Sequence, residues 1–175
     1  MPKPVDVTLP SDREIRVVRE FDAPRQLVWD CHVKPELVQR WALGPPSSDM
    51  SMKVCRIDLR VGGRYRYVWR NDKSGFEFGS AGEHLEIEAP RRLVTTEIMD
   101  GLDGKPLLDE PSIDPAQAAI NTLILDERDG RTILTMTMVF PSTEIRDGAL
   151  KSGMTDGMGD SYDRIDEIVV EQATA

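Results

Sequence analysis

The chain is poor in the residues that most often carry metal ions and covalent chemistry. Its 175 residues include two histidines and two cysteines, Cys31 and Cys55, which form no CxxC motif. We expect reduced thiols, with a single disulfide left open until the geometry is known. Without clustered Cys and His we predict no dedicated metal site. The sequence also has no P-loop, dinucleotide fingerprint or nucleophile elbow, so we expect no cofactor.

Long apolar runs and an excess of positive charge are also missing. No window approaches the roughly 18 uninterrupted apolar residues of a membrane helix, and the opening residues lack the apolar segment of a secretory signal. We therefore expect a cytoplasmic protein with no membrane partner. With 31 acidic against 22 basic side chains the net charge is −9, which argues against nucleic acid as a partner.

The hydrophobic pattern predicts one α+β domain, which we place at residues 14–173. Residues 1–13 carry three prolines and are expected to be an extended or disordered lead-in. A strand at 14–21 is followed by two short helices separated by Pro35, and then by about six further strands. Gly62-Gly63 and Asp129-Gly130 are typical of hairpin turns.

A helical pattern runs from Ser142, a candidate N-cap, almost to the end of the chain. Its glycines predict a bend or break at 148–159. An apolar stripe along this helix must be buried. A sheet of six to seven antiparallel strands would achieve this by curling its concave face around the helix, and an apolar pocket between the two is then expected.

The stretch "RYRYVWR", residues 64–70, allows two interpretations. Interleaved arginines and aromatics could stack on nucleic-acid bases, although the full pattern of an RNA-binding strand is missing and the protein is acidic. Alternatively, period-2 alternation places Tyr65, Tyr67 and Trp69 on an inner face and the arginines in solvent. We favour the second interpretation, in which the aromatic face is either simple core or the wall of a pocket.

Two further features bear on a site. His84 and Glu86 are two residues apart on a strand and so are expected to share a face. On the concave face they would form an acid/base or ligand-orienting pair inside the pocket. The apolar side chains of Leu85 and Ile87 favour the opposite orientation, in which these two point inward and the pair is solvated. The segment 100–119 is long, rich in Asp, Pro and Gly, and is interpreted as a gate over the pocket.

Five segments in order carry a resemblance to a known family: "REFDAPRQLVWDCHVKPELVQRW", "DLRVGGRYRY", "GEHLEIEAPRRLVTTE", "TILTMTMVFPS" and "GMTDGMGDSYDRIDEI". Over about residues 14–170 the chain resembles the heat-shock protein 90 ATPase activator homologue-like family of the START-like (SRPBCC) superfamily. The resemblance implies a helix-grip fold, a curved sheet around a long C-terminal helix, with a cavity between them. The chain departs from the residues usual in the family at Ala42, Val61, His84, Met158 and Tyr162.

We therefore expect a small apolar or aromatic ligand in this cavity. The predicted lining combines aromatic and methionine side chains from the sheet and the last helix, with Trp41 near the mouth: Tyr65, Tyr67, Trp69, Met136, Met138, Met154, Met158 and Tyr162. Ordinary core packing of the same residues is the competing interpretation. Two other functions stay open: a chaperone-regulating module, implied by the resemblance, and a cyclase- or hydrolase-type enzyme using His84 with Glu86 or a Tyr hydroxyl. A homodimer also stays open.

Overall fold

The computed structural model describes residues 3–175, which form one antiparallel sheet and four α-helices. The α+β class and the curved sheet with a long C-terminal helix are confirmed. The strands are β1 (Asp6–Thr8), β2 (Glu14–Phe21), β3 (Met50–Ile57), β4 (Arg64–Asn71), β5 (Glu77–Glu88), β6 (Arg92–Asp100), β7 (Ala119–Arg128) and β8 (Arg131–Val139). The helices are α1 (Arg25–Val33), α2 (Pro35–Trp41), α3 (Thr143–Lys151) and α4 (Met154–Thr174).

The sheet has the strand order β1-β2-β8-β7-β6-β5-β4-β3. Its eight strands exceed the predicted six to seven because β1, inside the predicted lead-in, pairs antiparallel with β2. Three exposed residues in "DVT" carry no readable alternation, so only the pairing reveals this strand. Residues 1 and 2 of the predicted lead-in lie outside the described residues.

The buried core lies between α1, α4 and one half of the sheet. Strand β2 alternates regularly, and its inward residues Ile15, Val17 and Phe21 are fully buried. Facing them, α4 buries Tyr162, Ile165 and Ile168, which follow helical spacing. This half of the concave face is closed.

The predicted break in the C-terminal helical region is confirmed at Gly153. Helix α3 ends at Lys151, and Gly153 adopts a left-handed conformation with φ of +80° before α4 begins. Glycine adopts positive φ without the steric penalty that other residues meet, so it is suited to this junction. The break lets α4 turn onto the sheet independently of α3.

Ser142 caps α3, as the sequence predicts. Its Oγ accepts a hydrogen bond from the backbone N–H of Ile145 at 3.2 Å. We expect Ser142→Ala to lower the free energy of unfolding by about 1 kcal/mol, because that N–H then loses its protein partner. Urea denaturation would measure the change, and Ser142→Asp, which can also cap, should retain most of the stability. Equal losses for both variants would contradict a capping role.

A buried arginine fastens α4 to β2. The Arg19 side chain is fully buried on the inner face and meets Asp166 at 2.6 Å and Asp163 at 2.9 Å. These two aspartates are about one-third exposed, so the ion pairs lie at the border between the core and solvent. Helical spacing places them one turn apart, and the register of the sheet brings Arg19 between them.

Among residues 3–175, no helix combines the length and the apolar character that crossing a bilayer requires.

Candidate functional site

The concave face of the sheet has a closed half and an open half. Cross-strand partners share a face, and one such row runs from the core outward through Ile15, Met138, Asn121, Thr95 and His84. Ile15, Met138 and His84 are buried, whereas Asn121 and Thr95 are half-buried, as are Tyr67 and Trp69 on the same face of β4. The concave face of β3–β6 is therefore less completely covered, and we call this region the cleft.

Aromatic side chains form a continuous row along the cleft. The rings of Tyr65 and Tyr67 lie 4.9 Å apart, and Tyr67 lies 5.8 Å from Trp69. Trp69 stacks on Phe78 of β5 at 5.2 Å, and its indole N–H donates to the carbonyl of Ala42 at 2.7 Å. The predicted inward face of β4 is thus the observed one. Tyr67 and Trp69 keep half-buried surface there.

Tyr65 lies deeper than its neighbours because of a glycine on β5. Its hydroxyl donates to the backbone carbonyl of Thr96 at 3.1 Å, across the strand that lies between them. The ring passes over Gly82, where any Cβ would meet the Tyr65 ring and the Thr96 carbonyl. Burial raises the pKa of Tyr65, so its hydroxyl serves as a hydrogen-bond donor inside the sheet.

The arginines of β4 lie on the outer face, but they are not all solvated as expected. Arg66 is buried, binds Asp100 through two hydrogen bonds of 2.7 and 2.9 Å, and donates to the carbonyl of Leu108 at 2.7 Å. Arg64 donates to the carbonyl of Pro111. The alternation predicted the correct face but could not show what covers it.

The contacts of these arginines also show where the 101–118 loop lies. Besides the contacts of Arg64 and Arg66, Arg56 of β3 meets Asp109 at 3.0 Å. These arginines belong to the convex face, so the loop packs behind the sheet. The expectation that it gates the concave pocket is wrong, because the outward-facing arginines provide donors for its carbonyls and carboxylates.

A β-bulge separates the predicted acid/base pair. The partner of His84 is Thr95 and that of Glu86 is Val94, so one extra residue, Leu85, enters β5 between them. His84 points inward and is 3% exposed, whereas Glu86 binds Arg92 at 3.1 Å on the outer face. The expectation that the pair shares a face is wrong, since its premise of strict alternation fails at the bulge.

His84 is nevertheless a buried polar group on the cleft face. Its ring centroid lies 6.0 Å from that of Tyr65, and neither ring nitrogen has a hydrogen-bond partner among residues 3–175. Burial lowers the pKa of His84, against a smaller opposing effect of Asp58. The imidazole is therefore neutral at pH 7 and offers one donor and one acceptor.

A polar group that sequence reasoning missed lies in the middle of the cleft. Glu97 of β6 is half-buried and accepts a hydrogen bond from Ser80 Oγ at 3.2 Å. Burial raises the pKa of Glu97, while hydrogen bonding by Asn121 and Ser80 opposes that shift. In "LVTTEIM" this residue looks like any exposed strand Glu; the only available signal was that it alternates with Thr95, two residues before it.

The predicted lining residues divide into accessible and inaccessible groups. Met136, Met154 and Met158 are partly buried and pack against the core, and Tyr67 and Trp69 in the cleft are also half-buried. In contrast, Tyr65, Met138 and Tyr162 are at most 6% exposed. A ligand can reach these three only after side-chain movement.

Trp41, predicted to lie near the mouth of the pocket, packs among the helices. It stacks on Tyr162 with ring centroids 5.8 Å apart and donates its indole N–H to the carbonyl of Cys31 at 2.6 Å. Its remaining exposed surface is partial. Trp41 therefore helps to hold α2 against α4 beside the cleft.

The cysteines are not activated as nucleophiles, and among the described residues those that could bind a metal ion are not grouped. Both thiols are free, and burial raises the pKa of Cys31 to about 12 and that of Cys55 to about 11. Thiols with such pKa values are poor nucleophiles at neutral pH. Within residues 3–175, no group of three His, Cys, Asp or Glu side chains is arranged to hold a metal ion.

Comparison with known families finds one match over most of the chain. The family described as "Activator of Hsp90 ATPase homolog 1-like protein" matches residues 22–170. No curated protein matches the chain.

Solved structures share the fold over nearly the full length. A protein from Rhodobacter sphaeroides has a TM-score of 0.82 at 23% identity, covering 96% of this chain and 99% of its own. A Mycobacterium smegmatis protein has a TM-score of 0.77 at 25% identity, covering 95% and 97% respectively. An AHSA1-like protein from Aeromonas hydrophila reaches 0.63 at 19% identity, covering 87% and 93%.

Proposed function

Since the chain belongs to the Activator of Hsp90 ATPase homolog 1-like family, within the START-like fold, we propose that it binds a small molecule with an apolar or aromatic body in the cleft. The supporting observation is the contrast between the two halves of the concave face. One half is closed by α1 and α4, while the other keeps half-buried Tyr67 and Trp69. A concave surface with apolar walls and a few converging polar groups is typical of ligand sites.

Three methionines that are only partly buried against the core would suit ligands of varied shape at the border of the cleft. Met154 and Met158 are one turn apart on the face of α4 that buries Tyr162, and Met136 lies on the sheet. Unbranched thioether side chains adjust to irregular surfaces at low cost. We therefore expect moderate affinity for several aromatic compounds.

Binding can be tested with N-phenyl-1-naphthylamine, a neutral dye that becomes fluorescent in apolar surroundings. Wild-type protein should enhance its emission, and Met158→Trp should weaken binding by about tenfold or more because the larger ring fills the cleft. Val170→Trp is the matched control, since Val170 is exposed on the same helix. The proposal would be overturned if the wild-type protein bound neither this dye nor any member of a library of aromatic compounds. Equal binding by Met158→Trp would place the dye elsewhere.

Chaperone regulation is the second candidate, and the family match is the observation that favours it. Purified protein added in stoichiometric excess should then change the ATPase rate of the 90-kDa chaperone from the same source. An unchanged rate and no co-purification would reject this candidate. The result is independent of dye binding, so each function can fail alone.

The enzyme hypothesis loses one of its two options, the pair of His84 and Glu86. His84 and Glu86 lie on opposite faces of the sheet, so a proton cannot pass between them at hydrogen-bond distance. His84 alone is retained as a polar group near the cleft.

A further inference from the structure

Three neighbouring strands place polar side chains together in the cleft. Asn121 of β7 pairs with Thr95, so it lies diagonally across from Glu97 on the same face. Ser80 of β5 lies on the other diagonal and donates its hydroxyl hydrogen to Glu97. The Glu97 carboxyl group is thus held between two side chains on a rigid sheet.

This carboxyl group has no charged partner of opposite sign. No Lys, Arg or His between residues 3 and 175 forms a salt bridge with Glu97, and only neutral groups support its ionised form. Partial burial of a carboxylate without a counter-ion raises the free energy of its ionised form. The site therefore favours any occupant that brings a positive charge.

The hydrogen-bonding groups at this point have an excess of acceptors. A ligand cation would favour the ionised form of Glu97, and because an ionised carboxylate only accepts, the amide nitrogen of Asn121 would then face it. That orientation leaves Asn121 Oδ1, which is buried and has no donor among residues 3–175. The complementary ligand group supplies several donors and no acceptor, which describes a protonated amine.

We propose that Glu97, with Asn121, selects ligands that carry a protonated amine on an aromatic body. This inference rests on the proposed function of the cleft. The ammonium group lies between the Glu97 carboxylate and Asn121 Oδ1, and the aromatic body lies along Tyr67 and Trp69. Aromatic faces also attract cations, and the net charge of −9 favours the approach of positively charged ligands.

Three naphthyl compounds of similar size test the selection, because they differ at the end of the side chain: 2-(1-naphthyl)ethylamine, 2-(1-naphthyl)ethanol and 1-naphthylacetate. Calorimetry on the full chain at pH 7 should show the amine binding about tenfold or more tightly than the alcohol, since a hydrogen bond to a charged group contributes more than a neutral one. The carboxylate should bind most weakly. In Glu97→Gln, the preference for amine over alcohol should fall below about threefold, with the alcohol affinity within about twofold of wild type.

Glu83→Gln is the matched control. Glu83 is on the same sheet, adjacent to inward His84 and therefore on the outer face, so this variant should keep the full amine preference. If neither the dye nor any of the three compounds binds wild-type protein, the proposed function of the cleft fails; if the dye binds but none of the three does, only the selection by Glu97 fails. If the alcohol binds as tightly as the amine, or Glu97→Gln keeps the preference, the function survives and the selection by Glu97 is overturned.

Discussion

Replacing Arg19 with alanine is expected to lower the free energy of unfolding by about 3–5 kcal/mol, the usual loss when one partner of a buried ion pair is removed. The guanidinium binds Asp163 and Asp166 of α4 with contacts of 2.6–2.9 Å. It also lies 4.6 Å from the centre of the Phe21 ring. Alanine would remove all these contacts and leave a space under the helix.

Chemical denaturation of two comparison variants separates charge from packing. Arg19→Met retains most of the buried stem and should lose clearly less stability than Arg19→Ala, because the two aspartates are about one-third exposed and can be hydrated. Arg16→Ala changes the outer face of the same strand, where Arg16 donates to Thr137 at 3.3 Å, and should cost at most about 0.5 kcal/mol. An Arg19→Ala protein as stable as Arg16→Ala would contradict the fastening role.

The second large effect is expected at Gly82. A Cβ there would lie 1.9 Å from the backbone oxygen of Thr96 and 2.4 Å from Cε1 of Tyr65. Backbone on β6 cannot move aside without disturbing the sheet, so Gly82→Ala should destabilise the protein by about 3 kcal/mol, as overpacking does in a filled core. It should also displace Tyr65 and break its hydrogen bond to Thr96.

Gly148→Ala is the control variant, and it should raise the free energy of unfolding rather than lower it. Gly148 lies in α3 without a positive φ, and a Cβ added there would have no other atom within 4 Å. Alanine has the higher helix propensity, so this variant should gain about 0.5–1 kcal/mol. Thermal and chemical unfolding of both variants would check the pair. A neutral Gly82→Ala would mean that Tyr65 does not pack over this position.

Local sequence was sufficient for the elements and for some of their ends. Regular alternation in "EIRVVREF" predicts β2 and its buried face, and Asp129-Gly130 predicts the β7–β8 turn, where both residues have positive φ. The cap at Ser142 and the break at Gly153 follow from single residues with strong conformational preferences. These features depend on neighbours within a few positions.

Several features of the cleft could not be predicted from local sequence. Alternation on β4 correctly placed Tyr65, Tyr67 and Trp69 on one face, yet it could not predict that Tyr65 is buried over Gly82. Glu97 was missed because its role depends on Ser80 and Asn121, which are 17 and 24 positions away along the chain. The prediction for His84 with Glu86 failed because the bulge at Leu85 exists only in the pairing with β6.

The sequence by itself determined the α+β class, the order of the elements, the curved sheet with its C-terminal helix and the aromatic side of β4. These follow from periodicity and from turn residues, which act over short distances along the chain. Only the tertiary structure decided which half of the concave face stays open, that the 101–118 loop packs behind the sheet, and that Glu97 has no cationic partner among residues 3–175. The physical reason is that burial, register and charge pairing are set by side chains that are distant in sequence and meet only when the sheet has formed.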